Sequence, residues 1–247
     1  MLRRSQALKP GHTPVNTGSS VRVVLKVTGK VFKEGGEPLI KEISSIIKER
    51  VAAGDEVAVV TGGGPLARTY VRIGSSLGLS DAWLDLLGIE ASRLNAFLLA
   101  AALEGLAYLP IPRSVDDILK AWAAGKVVVC GGLQPGQSTN AVAAAIAELI
   151  KADLLINATN VDGVYERDPR KYPGQRPLKE LSVGRLKEIL ERQAYLPGHY
   201  ELLDLVALKI VERAGITLVF VNAFKPDTIR RAWSLDRDVG TWVRPGE

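Results

Sequence analysis

Short runs rich in branched and aliphatic residues alternate along this chain with longer stretches in which apolar side chains recur every three or four positions. The runs at 21–27, 56–61, 126–130, 154–158 and 217–222 predict strands. The stretches at 38–53, 65–77, 82–104, 115–124, 139–151, 182–191 and 202–214 predict amphipathic helices, with stop signals at Gly54, Gly78, Gly125 and Gly215. Such alternation is the signature of a mostly parallel sheet covered on both faces, a three-layer αβα sandwich of the α/β class. No internal repeat or low-complexity segment interrupts it, and the one long irregular stretch, 162–177, sits where phosphate-binding enzymes often carry a functional loop.

Composition narrows the setting. With 47% hydrophobic and 24% charged residues, 247 residues suffice for one compact unit. The 32 basic residues are interspersed among 27 acids, so the net charge of +5 reads as a solvated mixed surface, with no nucleic acid as partner. The single Cys130 allows no intrachain disulfide, and two histidines without neighbouring ligands give no structural zinc site and no protein metal centre. A reducing, cytoplasmic setting follows, and no run reaches the roughly 18 apolar residues that a membrane span needs. Residues 1–20, polar and carrying Pro10, Gly11 and Pro14, read as a flexible N-terminal extension.

Four segments carry candidate chemistry. Lys26 lies inside an apolar strand, where a charge is costly unless an anion meets it, and the strand's carboxyl end, with Gly29 and Lys30, is where open α/β sheets bind ligands. A lysine snorkelling from a strand end is the plainer alternative. Thr61-Gly62-Gly63-Gly64-Pro65-Leu66-Ala67-Arg68 follows the second strand; its glycines permit close backbone approach, and the helix start offers free N–H groups to an anion. The same string is an ordinary tight turn, or a loose dinucleotide pattern with Asp81 or Asp85 at a suitable distance. Cys130-Gly131-Gly132-Leu133-Gln134-Pro135-Gly136-Gln137-Ser138-Thr139 follows another strand, with Ser138 or Thr139 able to cap the next helix. A plain connecting loop explains any one such turn, but three on one sheet edge point to an extended ligand with several anionic groups. Finally, Asn157-Ala158-Thr159-Asn160-Val161-Asp162-Gly163-Val164-Tyr165-Glu166-Arg167-Asp168 offers polar groups, a ring and acids, either for a nucleoside or as a surface loop. Asp204 and Lys209, on a later helix, read as packing or surface residues, a lysine near a transferred phosphate being the alternative. No G-x-x-x-x-G-K-[ST] string occurs, so the phosphate cradle is not a P-loop.

Taken together, Leu-Lys-Val-Thr-Gly-Lys, Val-Thr-Gly-Gly-Gly, Leu-Asp-Leu-Leu-Gly-Ile-Glu-Ala-Ser-Arg-Leu-Asn-Ala, Gly-Gly-Leu-Gln-Pro-Gly-Gln-Ser-Thr and Ala-Thr-Asn-Val-Asp-Gly-Val-Tyr resemble the amino-acid-kinase superfamily, and within it the archaeal UMP kinases, from Val21 to about Val243. The resemblance implies a carbamate-kinase-like fold over 21–247, with a UMP-binding lobe at about 21–150 and an ATP-binding lobe at about 151–247. It implies phosphoryl transfer from ATP, as its Mg²⁺ complex, to UMP, and a homohexamer. Lys26, Val27, Thr28, Gly29 and Lys30 would lie on the ATP phosphates, with Lys26 and Lys30 catalytic. Gly64 and Arg68 would face ATP and Gly63 would face UMP. Asp85 would accept the UMP ribose hydroxyls, and Leu133, Gln134, Pro135, Gly136, Gln137, Ser138 and Thr139 would wrap the UMP. Thr159, Asn160, Tyr165 and Asp168 would hold the adenosine. The pattern departs at Asn140, where many of these kinases carry an acid, and in the longer N-terminal extension. Alternatives are a sister kinase acting on glutamate, N-acetylglutamate, aspartate or carbamate, a dinucleotide-dependent dehydrogenase, and a nucleotide sensor without turnover.

Overall fold

Successive residues of each inner strand pack on opposite faces of one sheet. Val24, Ala58, Val60, Val128, Leu155, Leu218 and Phe220 build one core, and Val23, Leu25, Val57, Val59, Val129, Ile156 and Val219 build the other. This is why the strand runs are apolar at almost every position. In this computed structural model the structure describes residues 20–167, 169, 172, 174–194 and 202–244.

The described residues form seven strands: β1 (Arg22–Val27), β2 (Glu56–Thr61), β3 (Val128–Cys130), β4 (Leu154–Thr159), β5 (Glu180–Ser182), β6 (Thr217–Asn222) and β7 (Thr241–Arg244). Their order is β3-β2-β1-β4-β6-β7-β5. Every pairing is parallel except β6 with β7. The helices are α1 (Gly36–Ala52), α2 (Gly64–Ser76), α3 (Asp81–Ala102), α4 (Val115–Ala123), α5 (Thr139–Leu149), α6 (Val183–Ala194), α7 (Leu205–Ala214) and α8 (Pro226–Trp233). Residues of α4, α5, α6 and α7 fill the first core, those of α1, α3 and α8 the second, and α2 leans on α3, its Gly74 set against Leu79, Leu84 and Leu87.

All five expected strands and all seven expected helices are present. A third strand begins at Val128 instead of 126, because Val127 pairs with Ala107 as an isolated bridge. Helix α7 begins three residues late because the Asp204 carboxylate caps it, accepting from Ala207 N–H at 2.9 Å. A π-helical turn, Val31–Gly35, joins β1 to α1. Strands β5 and β7 and helix α8 were not anticipated. The two strands are three and four residues long, too short for a period, and α8 has eight.

At the amino ends of the strands, Asp55 is only 8% exposed. It accepts from Arg50 Nε at 2.7 Å, Trp233 Nε1 at 3.0 Å and Val21 N–H at 3.1 Å. This fully partnered buried acid ties α1, α8 and β1 together, far from the opposite sheet edge where the glycine turns lie. No helix among the described residues is long and apolar enough to cross a membrane. Except for Ser20, the expected N-terminal extension 1–20 lies outside the described residues.

Candidate active site

From β1 the chain runs to β2 and β3 on one side, while β4 and β6 lie on the other. The topological switch therefore falls between β1 and β4, and open α/β sheets bind their ligands beyond the carboxyl ends at such a point. Lys26 of β1 pairs in register with Asn157 of β4. Both are buried, at 8% and 2% exposure, in strands otherwise apolar. Burial pushes the Lys26 ammonium down to about 8, while the Asp204 carboxylate opposes that shift. Asp204 thus supplies a carboxylate whose field reaches Lys26. The reading of Asp204 as a packing or surface residue missed this. As a polar cap preceding an apolar run, Asp204 carried a recognisable helix-start signal, but its approach to β1 is set by tertiary packing.

Asp204 also receives the Ser138 hydroxyl. Ser138 in turn caps α5, accepting from Ala141 N–H at 3.0 Å, so the starts of α5 and α7 are locked to each other. Asn157 donates to Leu202 O at 3.2 Å and Asn140 Oδ1 at 3.4 Å, and Asn140 donates to Leu202 O at 3.3 Å. The Oδ1 atoms of Asn157 and Asn160 are buried without a hydrogen-bond partner among the described residues. Buried acceptors of that kind call for a donor from water or ligand.

The glycine turns after β1 and β2 meet backbone to backbone. A Cβ on Gly29 would fall on the Gly62 carbonyl and the Gly64 nitrogen, and one on Gly64 would fall on Gly29. Gly64 also has φ 60°, a left-handed conformation that favours glycine. Thr139 Oγ1, at the start of α5, lies within 3.7 Å of a Cβ built on Gly62, so this helix start adjoins the same turn. Gly63 abuts Gly88 and Ser92 of α3, Gly131 abuts Ser92 and Arg93, and Gly132 abuts Ile89.

Helix α3 organises this mouth through polar residues on one face. The Asp85 carboxylate accepts from Gly136 N–H at 2.8 Å, which joins α3 to the loop after β3. Ser92 Oγ accepts from Gly132 N–H at 2.7 Å, and Asn95 Nδ2 donates to Gly62 O at 2.8 Å. Ser92, Arg93 and Asn95 were not singled out, although the spacing of Asp85, Gly88, Ser92 and Asn95 marks one face of a helix.

Of the remaining expected residues, Val27 and Thr28 are buried, leaving mainly backbone to face a ligand; Thr28 N–H donates to Ala158 O at 2.9 Å. Lys30 follows at the entry to the π-helical turn, its carbonyl accepting from Glu34 N–H at 2.8 Å. Leu133 is half-buried against the first core, while Gln134, Pro135 and Gly136 are exposed and Gln137 is half-buried. Arg68 is exposed on α2 and forms no ion pair among the described residues. Thr159 and Tyr165 are buried at the end of β4 and just beyond it. There Asp162 accepts from Lys225 at 2.7 Å and Asn222 at 2.8 Å. Burial pushes its carboxyl up, but those two donors prevail and hold it below the ordinary range. Asp168 lies outside the described residues. Burial raises the Cys130 thiol to about 12, which makes it a packing group, not a nucleophile.

Among the described residues no cluster of three or more His, Cys, Asp or Glu could hold a metal. Near Lys26 the described residues offer as acceptors the Asp204 carboxylate and the open Oδ1 of Asn157. Such a set suits a hydrated Mg²⁺ carried in on phosphates and offers acceptors for its water, as Mg²⁺ at phosphate sites requires.

Residues 21–222 match the amino acid kinase family. A uridylate kinase from Sulfolobus acidocaldarius is 48% identical over 203 residues, spanning 82% of this chain and 89% of that protein. One from Sulfurisphaera tokodaii is 44% identical over 230 residues, spanning 91% of this chain and all of that protein. Among solved structures, uridylate kinase from Archaeoglobus fulgidus superposes with a TM-score of 0.81 at 39% identity, covering 90% of this chain and 99% of that one.

Proposed function

Because the chain belongs to the amino acid kinase family and, within it, to the uridylate kinases, we propose that it transfers the γ-phosphoryl group of ATP to UMP. The products are ADP and UDP, in a reversible step of pyrimidine nucleotide biosynthesis in the cytoplasm. The observation that carries this reading is the meeting, at one sheet edge, of buried Lys26, three glycine turns and an α3 carboxylate held against the acceptor-side loop.

The nucleophile is a phosphate oxygen of UMP, already anionic, so no general base is needed and catalysis is placement plus charge neutralisation. Lys26 and Lys30, with the turn Val27–Thr28–Gly29 between them, hold the ATP phosphates and the charge that moves in transfer. Gly64 and Arg68 face the ATP side and Gly63 the UMP phosphate. Asp85 has an oxygen engaged by Gly136 N–H and another for the ribose hydroxyls. Leu133 to Thr139 wraps UMP within the 21–150 lobe, and Thr159, Asn160, Tyr165 and Asp168 hold adenosine within the 151–247 lobe. Mg²⁺ bound with ATP neutralises phosphate charge, and Asp204 and Asn157 Oδ1 serve as acceptors for its water.

A homohexamer completes the reading. Tyr70 and Ile73 of α2, Leu77 just beyond its end, and Trp83, Leu94 and Phe97 of α3 are all at least half exposed, an apolar face that supports burial against another copy.

The test is ADP release from ATP and Mg²⁺ with UMP, CMP, AMP, glutamate, N-acetylglutamate, aspartate and carbamate offered singly. Release with UMP far above the others supports the proposal. Release with an amino acid or carbamate keeps the family and changes the acceptor, and binding of ATP and UMP without release leaves a sensor.

A further inference from the structure

Two segments at the mouth have their carbonyls held by α3 and their amides open. Asn95, 6% exposed, donates from Nδ2 to Gly62 O at 2.8 Å and Gly63 O at 3.3 Å. Arg93 donates from Nε to Gly132 O at 3.1 Å and from a terminal nitrogen to Leu133 O at 3.2 Å. In a trans peptide the C=O of one residue and the N–H of the next point in opposite directions. Fixing the carbonyls of Gly62 and Gly63 toward α3 therefore turns the N–H groups of Gly63 and Gly64 away from it, into the mouth. Fixing those of Gly132 and Leu133 does the same for the N–H groups of Leu133 and Gln134. None of these four amides donates to a protein acceptor among the described residues.

We infer that Asn95 and Arg93 are positioning residues that aim two pairs of backbone amides, Asn95 toward the phosphates and Arg93 toward the acceptor nucleotide. Neither side chain touches substrate. Their sequence separation of two places them on different sides of the helix, so one rigid element sets both halves of the site. Amides aimed before substrate arrives need no reorganisation as charge develops on the transferred group. The surrounding contacts favour rigidity. Ser92 Oγ takes Gly132 N–H on the same helix face, and Thr61 Oγ1 donates to Ser92 O at 2.9 Å. The guanidinium of Arg93 is further anchored by Glu90 Oε1 at 2.6 Å. Because 11% of the Arg93 side chain is exposed, it works at the rim of the acceptor loop, where sequence-distant Arg113 also reaches Glu90 at 3.2 Å.

The inference rests on the UMP kinase reading, so the test has one arm that does not use turnover. Full-length Asn95→Asp, Asn95→Ala, Arg93→Gln and Arg93→Lys would be compared with wild type for kcat, for KM of each substrate, for thermal midpoint, and for ATP affinity by calorimetry without UMP. Asn95→Asp puts an acceptor against two carbonyls. It should lower kcat about 100-fold, the scale of losing an oxyanion donor, and weaken ATP about tenfold, with KM for UMP within threefold of wild type. Arg93→Gln should raise KM for UMP about tenfold with kcat and ATP affinity within threefold, and Arg93→Lys, which can still reach one carbonyl, should recover most of that loss. Unchanged ATP affinity in both folded Asn95 variants overturns the Asn95 assignment whether or not UMP is the acceptor. Equal losses of kcat and KM in the Asn95 and Arg93 variants, tracking their thermal midpoints, would show scaffolding alone and overturn the inference. A wild type that binds ATP but leaves UMP unphosphorylated removes the UMP kinase reading and, with it, the Arg93 assignment, leaving the ATP arm to decide Asn95.

Discussion

Lys26 and Asn157 are register partners on β1 and β4, side by side on the same face of the sheet at the strand switch, and both are buried. Asn157 spends its amide hydrogens on Asn140 and Leu202 and keeps Oδ1 open, while Lys26 has, among the described residues, the field of Asp204 to offset its desolvation. An apolar pair would be more stable in such a place; a cation with an empty acceptor beside it suits a ligand that brings both charge and donors.

Lys26 should therefore trade stability for turnover. Its folded value of about 8 lies below the ordinary 10.5, so between those pH values the unfolded chain binds more protons and stability rises with pH. Below about 8 the buried ammonium costs up to roughly 3 kcal/mol, fully present at neutral pH. Lys26→Met should lower turnover about a thousandfold, yet match or exceed wild type in its urea midpoint at pH 7, with the advantage shrinking at pH 10. A midpoint well below wild type at pH 7 contradicts this.

In the free enzyme kcat/KM should fall above about pH 8 as Lys26 loses its proton. Asp204 favours the charged form, so Asp204→Asn should move the alkaline limb to lower pH. Profiles measured side by side on both proteins check the direction, and a limb that stays in place removes Asp204 from the account.

Asp85→Asn can keep the bond from Gly136 N–H but loses a charged double acceptor. KM for UMP should rise about tenfold or more, with KM for ATP within twofold, by initial-rate kinetics with each nucleotide varied in turn.

Glycine substitutions should divide by what a Cβ meets. Gly29→Ala drives a Cβ into the backbone of Gly62 and Gly64, neither of which can give way, and should cost about 3 kcal/mol or more. Gly136 has φ 74° but open space around it, so Gly136→Ala should cost only about 1–2 kcal/mol. Denaturant midpoints separate the two.

The inner strands and their helices were legible because burial on both faces leaves a near-continuous apolar run, and Lys26 stood out by breaking one. Asn157 broke another in the same way, but an amide carries less cost than a charge, and it was read only as one polar group of its segment. The glycine turns were readable as local strings. What joins them was not: Asn95 reaches 33 residues back to Gly62, Arg93 reaches 39 forward to Gly132, and Asp204 reaches 66 back to Ser138. Such partners are fixed by the sheet order, which no local pattern reports. Strand β7 is read only through β6 and β5, its neighbours in space.

The most direct measurement follows label from [γ-³²P]ATP in the presence of Mg²⁺ and UMP, with nucleotides separated and counted. This account predicts label in UDP in equal amount to the ADP formed, and its loss in Lys26→Met. Label released as inorganic phosphate, or retained in ATP while both nucleotides bind, would contradict it.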